Sequence, residues 1–544
     1  MKRSWRTLLP SLSDYRELRT SWRGDLLAGV TVGIVALPLA LAFGVSSGVG
    51  AEAGLITAIV AGLVAAVFGG SNIQVSGPTG AMVVVLAPIV VSQGVEAVAI
   101  VTLLAGLIVA VAGALRLGRT VSYIPWPVIE GFTVGIGIII FLQQVPSALG
   151  TEGTEHPTNA VLAAGAFIAA AQWPAALLPL GVAAAVIAIM LLLSRISGRL
   201  PASFIAIVVV TIAAQALNLP LATIGELPAS LPAPAVPSFD FDLTALIGPA
   251  FAVAALAAIE SLLSARVAAS MSDTGPYNAD RELVGQGLAS IASSFFGGMP
   301  ATGAIARTAV NVRSGARTRA SAIVHALALL VVVYLAAQVV AVIPLAALSG
   351  VLMATAARMV SPTLITTMLR TGKSEAAVFV ITGIITVSFD LIIAVGIGIA
   401  VAAFFALRAL SEASGVHREE LPGSPEPGDE RIALFRIDGS LFFGAAERLI
   451  DRINEHHGIE VVIVRLSQLH LIDATGAHTL TELITALERR GVTVIIKGIR
   501  PEHLDVLQRL GVIRSLRHPN HLFEELEPAI EHARSHIRRS QLTN

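Results

Sequence analysis

Glu260 stands within AFAVAALAAIESLLSARVAAS, an apolar run that contains no other acid. A carboxylate at bilayer depth is costly when ionised and unpaired, so such a residue marks a transport or proton pathway by default. Desolvation penalises the charged form, which suits Glu260 to taking up and releasing a proton. Ser264 follows four residues later, on the same helix face. The plainer alternative is that Glu260 only satisfies an interhelical hydrogen bond.

A second set of residues occurs twice. Phe68-Gly69-Gly70 leads through a stretch without helical pattern to Pro78-Thr79-Gly80-Ala81, and Phe296-Gly297-Gly298 leads to Ala301-Thr302-Gly303-Ala304. Thr79 lies nine residues after Gly70 and Thr302 four after Gly298, so the first copy is longer by five. Each copy ends one helix, runs extended, and opens a short one. Either motif alone reads as ordinary packing glycines. Broken segments at corresponding places in two halves, however, point to a ligand site in a membrane protein, because unwound backbone is tolerated there only where protein or water satisfies it. Half-helices opening at Thr79 and about Ala304 would aim two N-termini at one point. Each end carries unbonded N–H groups and roughly half a positive charge, and together they would hold an anion without a dedicated base.

Arg307, in GAIARTAVN, falls about one turn into the second short helix. It could balance Glu260, add positive potential for the anion, or reach the inner surface beside Arg313. Pro38, Leu39 and Phe43 of ALPLALAF could line the same cavity from the first span. Glu130 has no assigned role, and Asp390 reads as a turn cap at the outer surface.

The elements that must position these residues are transmembrane helices. Of 544 residues, 55% are hydrophobic and only 13% charged, with a mean hydropathy of +0.79. A soluble protein carries about 25% charged residues. Apolar stretches near the roughly 17–25 residues a spanning helix needs recur at 24–47, 51–69, 79–93, 95–115, 125–147, 174–194, 201–217, 245–270, 283–298, 303–315, 319–342, 344–360, 375–389 and 390–411. Fourteen spans satisfy the positive-inside rule. The inner turnings then carry Arg116, Arg119, Arg195, Arg199, Arg281, Arg313, Arg317, Arg319, Arg358, Arg370 and Lys373, while the outer segments 148–173 and 218–244 hold no base. Seven spans on each side of 218–244 give the two halves opposite orientation. Residues 1–23 form a cytoplasmic lead-in with no cleavable signal pattern, and 24–411 form the membrane domain. Residues 412–430, which include PGSPEPGDE, form a linker, and 431–544 a cytoplasmic domain. There RIALFRI, VVIVRL and TVIIKG read as strands, AERLIDRINEHH and GAHTLTELITALERRG as helices, and two more helical segments follow, which argues a small α/β domain.

Several functions have no support. No Walker A or HExxH pattern occurs. Zero Cys removes disulfides, thiol catalysis and zinc-thiolate sites, and a net charge of −1 does not favour nucleic acid. The chain calls for no cofactor, no metal and no catalytic residue, and it is not expected to be an enzyme.

Together GDLLAGVTVGIVALPLALAF, SGPTGA, IESLLSA, GQGLASIASSFFGGMPATGAIARTAVNVRSGARTRAS and LIDATG resemble the sulfate permease (SulP) family of anion transporters, from Gly24 to the final helix. The resemblance implies a 7+7 inverted repeat, core and gate domains moving as an elevator, a C-terminal STAS domain and a homodimer. It places the substrate pocket at Phe43, Thr79, Gly80, Glu260, Ser264, Gly303 and Ala304. Sodium-coupled bicarbonate members have Asp where Glu260 stands, and Thr where Ser264 and Ile305 stand, which favours proton over sodium coupling here. In the STAS motif Asp473 is followed by Ala474 and then Thr475, not by the Ser that phosphorylatable relatives carry. The expected activity is symport of a proton with a small anion, sulfate by family and bicarbonate or a dicarboxylate otherwise, in a bacterial inner membrane with both termini cytoplasmic. The expected partners are anion, proton, lipid and a protein docking on the STAS domain. An uncoupled exchanger or channel, and a membrane-tethered STAS scaffold, are the alternatives.

Overall fold

The computed structural model describes residues 5–119, 124–151, 159–197, 200–227, 230–238, 241–389, 391–413, 415–441 and 458–543. Asp390, Arg199 and the helix expected at AERLIDRINEHH lie outside them. The chain divides into two compact units, Met1–Ile399 and Ala400–Asn544.

A helix covers each predicted apolar segment, and eight helices among the described residues are long and apolar enough to cross a membrane. Two further helices were not expected. Ala160–Ala170 sits in the predicted outer segment, its N-terminus capped by Asn159, whose side chain accepts from the Val161 and Leu162 N–H groups. Pro362–Thr371 sits in a predicted turning and opens on a proline, which fits the first helical position. The first helix begins at Leu18 instead of residue 24, since no glycine or proline interrupts it before Gly24.

Small residues set the helix pairing, as expected where packing replaces hydrophobic driving force. Gly33 seats the Leu18–Ser46 helix against Ala328 of Ala320–Ala341, and a side chain at Gly113 would meet the Asp280 carbonyl. Thr382 and Thr386 pack against Gly131 and Gly135, joining Trp126–Gln143 to Lys373–Ser388, and Gly350 lets Leu345–Met359 approach Trp173–Ile196 at Ala183. Numbering the predicted spans in order, the first packs on the eleventh and the eighth on the fourth. The fifth packs on the thirteenth and the twelfth on the sixth. Each pair maps onto its fellow when span numbers shift by seven.

Some arginines credited to membrane orientation are used inside the fold. Arg281 and Arg319 are buried. Arg281 pairs with Asp14 at 2.7 Å, and Arg319 donates to the Gly69 carbonyl at 2.7 Å. Asp25 accepts from the Arg317 and Thr318 amides and the Thr318 hydroxyl, tying the first helix to the start of Ala320–Ala341. The N-terminal lead-in is therefore pinned to this unit.

The second unit is a sheet of strands β3 (Gly415–Glu419), β4 (Ile432–Leu441), β5 (Val461–Arg465), β7 (Thr493–Lys497) and β8 (Leu522–Phe523) in that order, with β6 (Leu469–Ile472) paired to β4. β3 is antiparallel to β4, and the other pairings are parallel. Alternation along the strands sends Ala433, Phe435, Val462, Val464, Val494 and Ile496 to one face, against Leu480, Leu483 and Leu487 of the Ala474–Arg489 helix. Ile432, Leu434, Val461, Ile463 and Ile495 go to the other, against Ala529, Ile530, Ala533 and Ile537 of Leu526–Thr543. Both faces are thus covered, as parallel sheets require. The stretch expected to be linker holds β3. Its sequence, GVHRE, has one large apolar residue and so no alternation to read, and it is held instead by Glu419 accepting from Arg436 and Arg465.

Candidate anion-binding site

The second short helix runs Ile305–Arg313 behind Ala304, and the first runs Gly80–Gln93 behind Thr79. The extended residues before them form a two-stranded antiparallel ribbon of β1 (Ser76–Gly77) and β2 (Thr302–Gly303), with Ser76 opposite Gly303 and Gly77 opposite Thr302. This ribbon brings the two helix starts together. Neither N-cap side chain bonds its own first turn, and neither first turn contains an acid, so the first amides and the positive dipole ends remain available to an anion.

Thr79 is a good capping residue by type, yet its hydroxyl goes elsewhere. Thr79 Oγ1 donates to Glu260 Oε2 at 2.7 Å, Thr302 Oγ1 donates to the same oxygen at 2.7 Å, and the two hydroxyl oxygens lie 3.0 Å apart. Glu260 is partly exposed, whereas Thr302 is fully buried. Three oxygens thus form a closed triangle. Thr302 was not among the sequence-derived site residues. It could have been found, because Thr79 and Thr302 are the same position of the two T-G-A copies.

Around this triangle, the Gly303 amide donates to Ser261 Oγ at 3.1 Å. Ser264 is fully buried and faces Thr308 Oγ1 at 3.3 Å, and Thr308 in turn accepts from the Val75 amide at 3.0 Å. Ser264 therefore secures the ribbon from behind. Gly303 has no room for a side chain, because the Gln74 carboxamide and Ser264 Cβ fill that space. Phe43 is buried with its ring edge against Gly80, and Pro38 and Leu39 are buried in the same helix. Ile305 is 39% exposed.

Arg307 neither reaches the inner surface nor pairs with Glu260. It is 2% exposed, and its Nη2 donates to the Pro78 carbonyl at 3.0 Å. Its helix is short and starts beside the ribbon, so the side chain spans to the residue preceding Thr79. Arg307 Nη1, both Gln74 carboxamide atoms and both His325 ring nitrogens have no partner among the described residues. Such buried unbonded groups are concentrated where a protein binds something polar. Sequence inspection passed over Gln74, Ser261, Thr308 and His325, since each is an ordinary residue until the ribbon brings it near. Glu130 accepts from Trp126 Nε1 at 2.7 Å. In the second unit Asp473 caps the Ala474–Arg489 helix through the Gly476 amide at 2.7 Å, and Thr475 is exposed beside it.

Comparison with known proteins adds to this geometry. Residues 22–382 match the sulfate permease family and residues 426–529 the STAS domain. The putative sulfate transporter YvdB of Bacillus subtilis is 34% identical over 510 residues, 90% of this chain and 94% of that protein. The bicarbonate transporter BicA of Synechocystis sp. is 32% identical, covering 92% of each. Among solved structures, the transmembrane domain of a cyanobacterium bicarbonate transporter BicA matches with a TM-score of 0.61 at 32% identity, over 71% of this chain and 98% of that one. The murine Solute Carrier 26 family member A9 (Slc26a9) anion transporter matches with a TM-score of 0.83 at 16% identity, over 98% of this chain and 96% of that one, a likeness of fold.

Proposed function

The chain belongs to the sulfate permease family of anion transporters, as a multi-pass membrane protein with a C-terminal STAS domain, and from that premise we propose that it carries sulfate by symport with a proton held on Glu260. The observation that carries the proposal is the triangle of Glu260 Oε2, Thr79 Oγ1 and Thr302 Oγ1 set between two uncapped helix N-termini. Closing its three sides takes three protons, and the two hydroxyls supply two. With Glu260 ionised, both hydroxyls donate to Oε2 and the side between them stays open. With Glu260 protonated, its Oε2–H donates to Thr302 Oγ1, Thr302 donates to Thr79 Oγ1 and Thr79 donates to Glu260 Oε2, which closes all three.

The same proton governs the anion. An ionised Glu260 would repel a divalent anion at the helix ends. At a separation of about 4 Å and an effective dielectric of about 20, one pair of like charges costs roughly 4 kcal/mol, close to three orders of magnitude in affinity. Anion and proton therefore bind together and leave together. The buried Arg307 raises the local positive potential and fixes the Pro78 carbonyl away from the anion. Bicarbonate is the second substrate reading, supported by the 32% identity to a bicarbonate transporter. Asp is the residue that sodium-coupled relatives carry where Glu260 stands, so sodium is not the proposed partner.

The matched helix pairs, related by a shift of seven spans, support a 7+7 inverted repeat and an elevator motion of core against gate. A homodimer in a bacterial inner membrane, with both termini cytoplasmic, completes the proposal, with domain limits at 24–411 for transport and, because β3 pairs with β4, 415–544 for STAS.

Proteoliposomes loaded to create an inward proton gradient test the coupling. Glu260→Gln should cut gradient-driven uptake of labelled sulfate at least roughly tenfold while leaving gradient-free sulfate exchange in place. Full gradient-driven uptake in that variant would remove Glu260 from the mechanism.

A further inference from the structure

The C-terminal unit gathers three histidines that the transport mechanism does not use. His521 ends the short turn Pro519–His521 that leads into β8, and His532 and His536 lie one turn apart on the Leu526–Thr543 helix. One ring nitrogen from each falls within 4.8 Å of the other two. His532 Nε2 and His536 Nε2 are 3.3 Å apart. That is the edge of a tetrahedron whose centre-to-nitrogen bonds are about 2.0–2.1 Å, the zinc–imidazole length.

We propose that His521, His532 and His536 form a binding site for a divalent transition-metal ion of zinc-like chemistry, with a fourth position open to water. Imidazole is the ligand type that such ions take in preference to calcium or magnesium. A second observation points the same way. His521 is 3% exposed, and its Nδ1 has no hydrogen-bond partner among the described residues. Buried polar atoms rarely stay unbonded without a ligand or ion. His532 and His536 are only partly buried, so an ion can enter from their side. Burial first, then the neighbouring rings of His536, His532 and His518, push His521 down to about 4, and burial also lowers His532 and His536.

Sequence inspection missed this site because it looked for thiolates and for H-x-x-x-H paired with an acid. His521 is eleven residues before the His532–His536 pair, and only the packing of the final helix on the sheet closes that gap. A bound ion would tie that helix to the β8 turn, making the fastening of the last helix responsive to metal. This proposal is independent of the transport mechanism.

The test uses the full chain in detergent, purified with a tag free of histidine and stripped with a chelator. Calorimetric titration with Zn2+ should give a saturable one-to-one isotherm. Co2+ should develop the intense visible bands of tetrahedral coordination, which Zn2+ then bleaches. His532→Ala and His536→Ala, on the partly exposed helix face, should each weaken Zn2+ binding at least roughly tenfold, the scale on which disturbing a site costs affinity. His478→Ala, an exposed histidine on the Ala474–Arg489 helix, should bind as the parent does. No saturable binding by the parent, or parental affinity in both helix variants, would overturn the proposal.

Discussion

Thr302 and Glu260 show what a single hydroxyl contributes. Thr302 is fully buried and donates to the carboxyl at 2.7 Å, as its counterpart Thr79 does from the partly exposed side. Such a hydrogen bond contributes about 0.5–1.5 kcal/mol, and leaving its buried partner unsatisfied costs about 1–3 kcal/mol. Thr302→Val keeps the shape and deletes the donor, so initial sulfate uptake should fall roughly tenfold or more, whereas Thr302→Ser should stay within about threefold of the parent. Parental rates in Thr302→Val would show that the second T-G-A copy serves only as backbone. Glu260 was legible from the sequence because an acid in an apolar run is conspicuous. Thr302 was not singled out, because a threonine in an apolar stretch carries no such contrast. Ser264 shares a helix face with Glu260 but is turned by the ribbon toward Thr308, a direction that periodicity alone does not resolve.

At the scale of elements, the ribbon of β1 and β2 decides where both half-helices begin. Gly303 is its tightest point, with the Gln74 carboxamide and Ser264 Cβ occupying the place of a side chain. Overpacking typically costs about 1–3 kcal/mol, and here the strain falls on the start of the Ile305–Arg313 helix. Gly303→Ala should therefore insert and purify but transport at least roughly tenfold more slowly. Gly165→Ala, where a new Cβ meets nothing within 4 Å, should transport normally and gain thermal stability from better helix propensity, about 1 kcal/mol. Equal rates for the two variants would mean that the helix starts need no fixed position. Glycine and proline mark where these helices break, and so the breaks were readable. The two-residue strands were not, since ribbons that short have no period.

For the whole molecule, the question is whether transport belongs to the first unit alone. A stop after residue 420 would leave β3 as an unpaired edge, because its partner β4 begins at Ile432, and exposed edges invite aggregation. Truncation after Ala413 removes the entire sheet instead. That protein should retain measurable proton-driven sulfate uptake in proteoliposomes, at a reduced rate. Complete loss of flux in correctly inserted protein would favour the STAS domain as the working part.

The sequence by itself determined that this chain is a membrane protein with a soluble α/β tail, where its apolar helices lie, that two of them are broken, and that Glu260 is chemically exceptional. These follow from hydropathy, charge and breaker residues, which act over a few turns of chain. Only the tertiary structure decided that Thr302 shares the Glu260 oxygen with Thr79, that Arg307 turns to Pro78, that GVHRE is a strand, and that His521 meets His532 and His536. Each depends on which distant segment packs alongside, and that is settled by the fit of many side chains at once, not by the order of residues in any one window.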